Sequence, residues 1–201
     1  MRKAIVTLLV SICVASPLAA DQLGTGRLNP FRDKKITYKP FRVADVTVEF
    51  PEKNWNQLPG AGTVLVTFAQ KNGEAAVVID RTKLLTPLAP EDITDLFQEL
   101  ETELVKERDP SSAGLRSTFL RLGEFLRIVQ MDFTRGAPPR EEQVRQISIP
   151  MGWYLYRVIA SARIAEFKKY EEIFLHMMTS LSIRPEPGDD DRPYYRPPES
   201  T

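Results

Sequence analysis

The run from Gln143 to Ile183, QVRQISIPMGWYLYRVIASARIAEFKKYEEIFLHMMTSLSI, limits what this chain can fold into more than any other stretch. Between Trp153 and Ala162, Tyr154, Tyr156, Val158 and Ala160 fall on one side of an extended chain. Trp153, Leu155, Arg157 and Ile159 fall on the other. Period-2 spacing in a β-branched and aromatic run predicts a strand, here with apolar groups on both faces. From Ala165 the period changes. Phe167, Tyr170, Phe174, Met177 and Leu181 recur every three or four residues, separated by Lys168, Lys169, Glu171 and Glu172. That spacing predicts a helix of about 17 residues whose stripe lies on something flat and apolar. The preceding strand's sheet is the nearest such surface, and a strand apolar on both faces needs two covers.

The upstream elements supply the rest of the sheet. Val46, Val48 and Phe50 alternate with Thr47 and Glu49, a strand that Pro51 stops. Trp55 follows a short turn, Gly60-Ala61-Gly62 is a second turn, and Val64 to Phe68 is the next strand. Asn72-Gly73 separates it from Ala75 to Asp80, and because Asn-Gly tolerates positive φ at both central positions this reads as a hairpin. Pro87 and Pro90 end the sheet segment. A helix is expected to begin near Pro90, where a missing N–H costs nothing, with Glu91 and Asp92 suiting the dipole of its first turn. Ile93, Leu96, Phe97, Leu100, Leu104 and Val105 form one apolar stripe, and Asp109-Pro110 closes the helix. Leu115 to Phe133 admits two readings. Leu115, Phe119, Leu122, Leu126 and Val129 suit a helix, whereas Phe125, Val129, Met131 and Phe133 suit a strand with Gly123-Glu124 as a turn. Two strands are preferred, since Gly123 inside a helix costs about 1 kcal/mol. Arg135 to Glu142 is a Gly-Pro-Pro and charge-rich loop. The order is hairpin, helix, hairpin, long strand, helix. It predicts an α+β fold, an antiparallel β-sheet flanked by helices.

The 201 residues are one domain's worth, enough to bury roughly 70% of the unfolded chain's surface. Lysine plus arginine equals aspartate plus glutamate at 27 each, so no global field draws the chain to nucleic acid. Residues 1–20 have the three parts of a secretory signal: Arg2 and Lys3, the apolar run Ala4 to Val14, and the small-residue exit Ser16-Pro17-Leu18-Ala19-Ala20. Cleavage is expected after Ala20, with Ala15 the alternative, leaving a slightly acidic periplasmic or secreted protein. An N-terminal anchor or lipidation at Cys13 is the other outcome, although Ile12 stands where lipidation sites want a small residue. Cys13 is the one cysteine, so the mature chain has no disulfide and rests on an ordinary core. Residues 21–40 read as a flexible linker, residues 41–184 as the α+β domain, and residues 185–201 as a disordered Pro- and Asp-rich tail.

Several landmarks in succession resemble the PsbP-like fold family, which includes bacterial DcrB-type envelope proteins and a eukaryotic Ran-binding factor. They are Val-Thr-Val-Glu-Phe-Pro before Trp55, the following hairpin, the helix after Pro90 and the Leu122-Gly123-Glu124 turn. Gly152-Trp153-Tyr154-Leu155-Tyr156-Arg157 and Ile173-Phe174 to Ser180-Leu181 complete the series. Together they run from about Phe41 to Ile183. The family's last helix often ends in Ser-Phe where this chain has Ser180-Leu181. The resemblance implies an antiparallel sheet between helical layers and a binding or assembly role with no shared catalytic residues.

Little in the residues points to chemistry. His176, the one histidine, shares a helix face with Glu172 and Ser180. Side chains on consecutive turns of one helix do not converge on a substrate as a hydrolase triad does, so Glu172 is read as a surface partner of His176. One histidine and no mature cysteine cannot assemble a usual zinc or copper site, and Asp189-Asp190-Asp191 lack the alternating spacing of a calcium loop. Gly24-Thr25-Gly26 and Gly60-Ala61-Gly62 lack the strand, helix and lysine of a phosphate loop. Glu99, Glu101 and Glu103 alternate around their helix and do not converge. No catalytic residue, metal or cofactor is expected. What remains is surface: Trp55, Trp153, Tyr154 and Tyr156 are the candidate partner residues, with Tyr194-Tyr195 a candidate docking segment. The expected function is an exported, non-enzymatic binding or assembly factor of the bacterial envelope. It would have a protein partner and no nucleic acid, and peripheral membrane association is compatible with it. A periplasmic carrier of a small apolar ligand or lipid in a sheet–helix cleft is the alternative, and a hydrolase the third reading.

Overall fold

The computed structural model describes residues 36–88, 94–122 and 126–184. The signal-like segment with Cys13, residues 21–35 of the expected linker and the 185–201 tail lie outside these residues. So do Pro90 to Ile93 and the Gly123-Glu124 turn. The elements run β1 (Tyr38–Val43), β2 (Val46–Pro51), β3 (Trp55–Pro59), β4 (Val64–Gln70), β5 (Ala75–Leu88), α1 (Asp95–Arg108), β6 (Ala113–Leu122) and β7 (Leu126–Arg135). β8 (Glu142–Arg163), α2 (Ile164–Thr179) and β9 (Ser182–Ile183) complete the chain. They form an α+β fold of two antiparallel sheets. One has six strands in the order β3-β4-β5-β8-β7-β6, the other three in the order β1-β2-β9.

Several expectations need adjusting. β1 begins at Tyr38, inside the segment read as linker, and pairs along its length with β2. Its short polar alternation gave no strand signal, yet a two-residue turn at Ala44-Asp45 holds it to β2. β3, starting at Trp55, is an edge strand with one buried residue and four exposed ones, too little pattern to read. The β4–β5 hairpin forms as expected, but its loop is longer than a two-residue Asn-Gly turn. Gly73 alone takes positive φ, and Gly73 N–H bonds the Gln70 carbonyl. Leu115 to Leu122 and Leu126 to Phe133 are indeed strand, in β6 and β7. α1 runs from Asp95 with Thr94 as its N-cap, so Asp95 is the acid of its first turn, while the Pro90, Glu91 and Asp92 of the expected start lie outside the described residues.

β8 is the strand on which everything else is hung. Its first half, Glu142 to Ser148, pairs with β7, and its second half, Gly152 to Ala162, with β5. Side chains alternate along an extended chain, so one face should carry a single parity. It does not. Val144, Gln146 and Ser148 lie on the α1 side with Leu155, Arg157 and Ile159, while Ile147 and Ile149 join Tyr156, Val158 and Ala160 beneath α2. The parity flips at Gly152, whose φ of 60° is open to glycine at little cost, opposite a register shift in β5 between Lys83 and Leu88. The strand also bends there. Ser148 and Arg157 bond the same carboxylate, though nine residues of straight strand would separate them by about 30 Å.

The main core lies on the α2 side. Phe167, Tyr170, Ile173, Phe174, Met177 and Met178 of α2 meet Val77, Ile79, Tyr156, Val158 and Ala160 of the sheet. Val46, Val48 and Phe50 of the small sheet close the same cluster. Each such fully buried side chain contributes roughly 1.5–3 kcal/mol. A second, smaller cluster under α1 joins Phe97 and Val105 to Val129, Met131, Phe133, Val144, Leu155 and Ile159.

Candidate functional site

α1 has 14 residues and turns Phe97, Glu101 and Val105 inward, one residue per turn. Apolar burial at that spacing is thin, and a charged group fills the gap. Glu101 is 1% exposed and takes a bidentate pair from Arg157, Nε to Oε2 at 3.0 Å and Nη2 to Oε1 at 2.8 Å. Ser148 Oγ donates to Glu101 Oε2 at 2.6 Å, and Gln146 Nε2 donates to Ser148 Oγ at 3.1 Å. Arg108 caps the row from the helix's last turn, its Nη2 bonding Gln146 Oε1 at 2.8 Å. On the far side Arg157 Nη1 donates to Thr82 Oγ1 at 3.1 Å and stands 3.6 Å from Asp80. Burial pulls the Arg157 guanidinium down, but the bonds it donates to Glu101, with the charges of Glu101 and Asp80, outweigh that and leave it raised. Gln146 Nε2 also donates to Glu101 Oε2, at 3.3 Å. The buried carboxylate is thus held from three side chains, and the set is a clamp, fixing α1 to both halves of the bent β8.

The clamp decides what α1 shows to solvent. Leu96, Leu100 and Leu104, expected in the buried stripe, are 63%, 54% and 47% exposed. At 100° per residue the row 96-100-104 stands well around the helix from 97-101-105, so the two cannot both face the sheet. Beside the leucines runs a row of acids, Asp95, Glu99, Glu103 and Glu107, all exposed. Between α1 and β6 lies a groove of about 370 Å³ lined by Asp95, Gln98, Glu99, Thr102, Glu103 and Ser117. Gln98 Nε2 bonds Ser117 Oγ across its floor at 2.5 Å.

The expected aromatic surface does not assemble. Trp55 is 6% exposed, edge-on to Tyr170, and Tyr156 is 1% exposed. Both are core. Tyr156 donates to the Asp45 carboxylate, which Arg81 Nη1 also reaches at 3.1 Å. Burial first, then this acidic neighbour, pushes the Tyr156 phenol far up, so it stays a donor. Trp153 and Tyr154 are half-buried and fall on opposite faces of β8, with the Arg81 guanidinium 4.7 Å from the centre of the Tyr154 ring. They make no shared patch.

His176 also has a different partner from the one expected. Its Nε2 is 2.9 Å from Glu49 Oε2 on β2, and the Tyr38 ring stacks on it at 3.7 Å. Burial, with Glu172 adding to it, pushes the Tyr38 phenol up. Ser180 Oγ donates to the Met177 carbonyl and accepts the Glu49 N–H. Acid, imidazole and hydroxyl thus tie α2 to β2, with the serine proton engaged on the backbone.

Sequence reasoning missed Glu101, which it grouped with Glu99 and Glu103 as acids that alternate around the helix without converging. A signal was available: Arg157 sits mid-strand between Leu155 and Ile159, and a buried arginine requires a carboxylate.

No family model matches the chain, and no curated protein does. Solved structures do. The solution structure of a cyanobacterial PsbP from Synechocystis sp. PCC 6803 aligns over 76% of this chain and 95% of its own, with 8% identity and a TM-score of 0.57. LpqN of Mycobacterium tuberculosis, described as involved in cell envelope biogenesis, aligns over 77% and 95%, with 16% identity and a TM-score of 0.51. At such identities the likeness is one of fold, and the chain has an α+β fold with PsbP-like structural neighbours.

Proposed function

We propose that the protein is a non-enzymatic binding or assembly factor of the bacterial cell envelope, working through the outer face of α1. The observation that carries this reading is the exposed row Leu96, Leu100 and Leu104 on a helix whose inner side is clamped by the Glu101–Arg157 pair. Exposed leucines scattered singly mean nothing, but a row of three along a rigid helix is a docking ridge. Rigidity favours it further, because a preformed surface loses less conformational freedom on association. The envelope part of the reading rests on the signal-like residues 1–20 and agrees with the fold likeness to LpqN. Among the described residues no helix is long and apolar enough to cross a membrane. The non-enzymatic part is supported by the engagement of Glu101 and Ser180 in structural bonds. A carrier needs an enclosed apolar cavity. The groove beside α1 is lined by carboxylates, amide and hydroxyls, and Phe68, Tyr156, Phe174 and Met177 pack the interior beneath α2.

Affinity capture from detergent-solubilised envelopes of the source cell is the test. The expected result is a complex of fixed stoichiometry that is lost when Leu96, Leu100 and Leu104 become alanine. A blank, or native mass spectra of the purified protein showing one co-purifying apolar ligand per chain, would overturn the reading.

A further inference from the structure

The reading above leaves the occupant of the α1 face open, and the inference here rests on that reading. We infer that the occupant is a basic amphipathic helix of a partner protein. Two rows run side by side along α1. Leu96, Leu100 and Leu104 form one, and Asp95, Glu99, Glu103 and Glu107, each one residue before or three after a leucine, form the other. From residue 95 to 107 the acidic row is about 18 Å long, a little over three turns. Glu103 has Lys106 at 2.7 Å, but Asp95, Glu99 and Glu107 have no ion pair among the described residues. Arg108, the other cation of the helix, is turned away to Gln146 and Asp109. Among the described residues, the groove alongside is lined by three carboxylates and no cation.

Charge sorts the occupants. An anionic bilayer surface would meet the carboxylate row and be repelled. A second copy of the chain docking by the same face would set two net-acidic rows near each other, which is unfavourable in either direction. A partner with lysine or arginine at a spacing of four, beside a leucine-type row, satisfies both rows at once. The leucines interdigitate as ridges in grooves, while the cations lay their methylene stems along the groove and place their heads on Asp95, Glu99 and Glu103. The spacing of four on α1 is itself a ridge that accepts another helix.

The test uses two synthetic helical peptides of about 18 residues. They share leucine positions and carry either lysine or glutamate beside them. Titration calorimetry on the full chain should show the lysine peptide binding one per chain, weaker as salt rises, and the glutamate peptide not binding. Leu96→Ala/Leu100→Ala/Leu104→Ala should weaken it at least about tenfold. Glu99→Gln/Glu103→Gln should weaken it and flatten the salt dependence. These side chains are exposed, so the Tm of each variant should match the parent's. Unchanged binding in both variants overturns the inference. So does sedimentation with phosphatidylglycerol vesicles at the parent's level, or a dimer in ultracentrifugation that the leucine substitutions dissolve. The captured envelope complex separates this inference from the reading beneath it. A complex that needs the leucines but ignores Glu99→Gln/Glu103→Gln and added lysine peptide overturns the basic helix and keeps the face. A complex indifferent to the leucines overturns the face.

Discussion

α1 and α2 are similar in length and cover opposite faces of one sheet, yet they are attached by different physics. α2 buries six large side chains in an all-apolar cluster that also takes in the small sheet. α1 buries two apolar residues and a carboxylate, and leaves three leucines outside. Hydrophobic attachment is strong and non-directional, so α2 is held wherever its stripe fits. Attachment through a bidentate ion pair adds little net stability but fixes rotation and register. The α2 side is therefore where the molecule's stability resides, and the α1 side is where a surface is presented in one orientation.

The comparison is tested most severely on the α2 side. Phe174 is fully buried against Phe167 and Tyr170. Phe174→Ala should cost about 3–5 kcal/mol in denaturant unfolding, from lost transfer energy plus the cavity. A loss under about 1 kcal/mol would mean that α2 is no better sealed than α1.

The α1 side should behave differently in a double-mutant cycle. Arg157→Met alone strands Glu101 in the core and should cost about 3–4 kcal/mol. Replacing the pair together, with Glu101→Leu added, should recover part of that loss, because no unpaired carboxylate is then left in the core, although the Ser148 hydroxyl loses its acceptor. Peptide binding at the outer face should not recover with it, since the rotation of α1 is no longer specified. If single and double variants lose equal stability, the pair is not coupled and α1 is held by Phe97 and Val105 alone.

How much of this was readable from the sequence follows the same division. α2, the C-terminal half of β8 and the β4–β5 hairpin were legible because apolar period and turn residues agree there. α1 was legible as a helix but not as an orientation. Two adjacent rows, 96-100-104 and 97-101-105, are both compatible with its pattern, and periodicity cannot choose between them when a glutamate sits in the buried one. Only the long-range partner, Arg157, decides it. The aromatic surface failed for a related reason. Tyr156 carries a polar tip that reads as surface, whereas Asp45, 111 residues away in sequence, satisfies it inside.

A smaller effect is expected at the hinge between the two attachments. Gly152 holds φ 60° at the point where β8 changes parity. Gly152→Ala should cost roughly 1–2 kcal/mol for the left-handed backbone. It should also weaken protection of β8 amides on both sides in hydrogen exchange, since one bulge sets both registers. Loss confined to one half would show that the two halves of β8 are independent.

The smallest effect is one of pH, on the α2 side. Glu74, beneath the tip of α2, is held below its ordinary range by hydrogen bonds from Tyr170 and then Lys169. Lys168, with Arg145 adding to it, does the same for Glu171. A carboxylate lowered in the folded state stabilises the fold fully above its unfolded value, near 4.5, and loses that contribution as pH falls through the lower folded value. Both side chains keep a quarter or more of their surface open to water, 25% and 29%, so the contribution is screened and small. Thermal unfolding between pH 6 and pH 3 should therefore fall less steeply for Glu74→Gln/Glu171→Gln than for the parent. An acid limb left unchanged by these substitutions would mean that the bonds from Lys169, Tyr170 and Lys168 add nothing to the attachment of α2, and that its apolar stripe alone holds it.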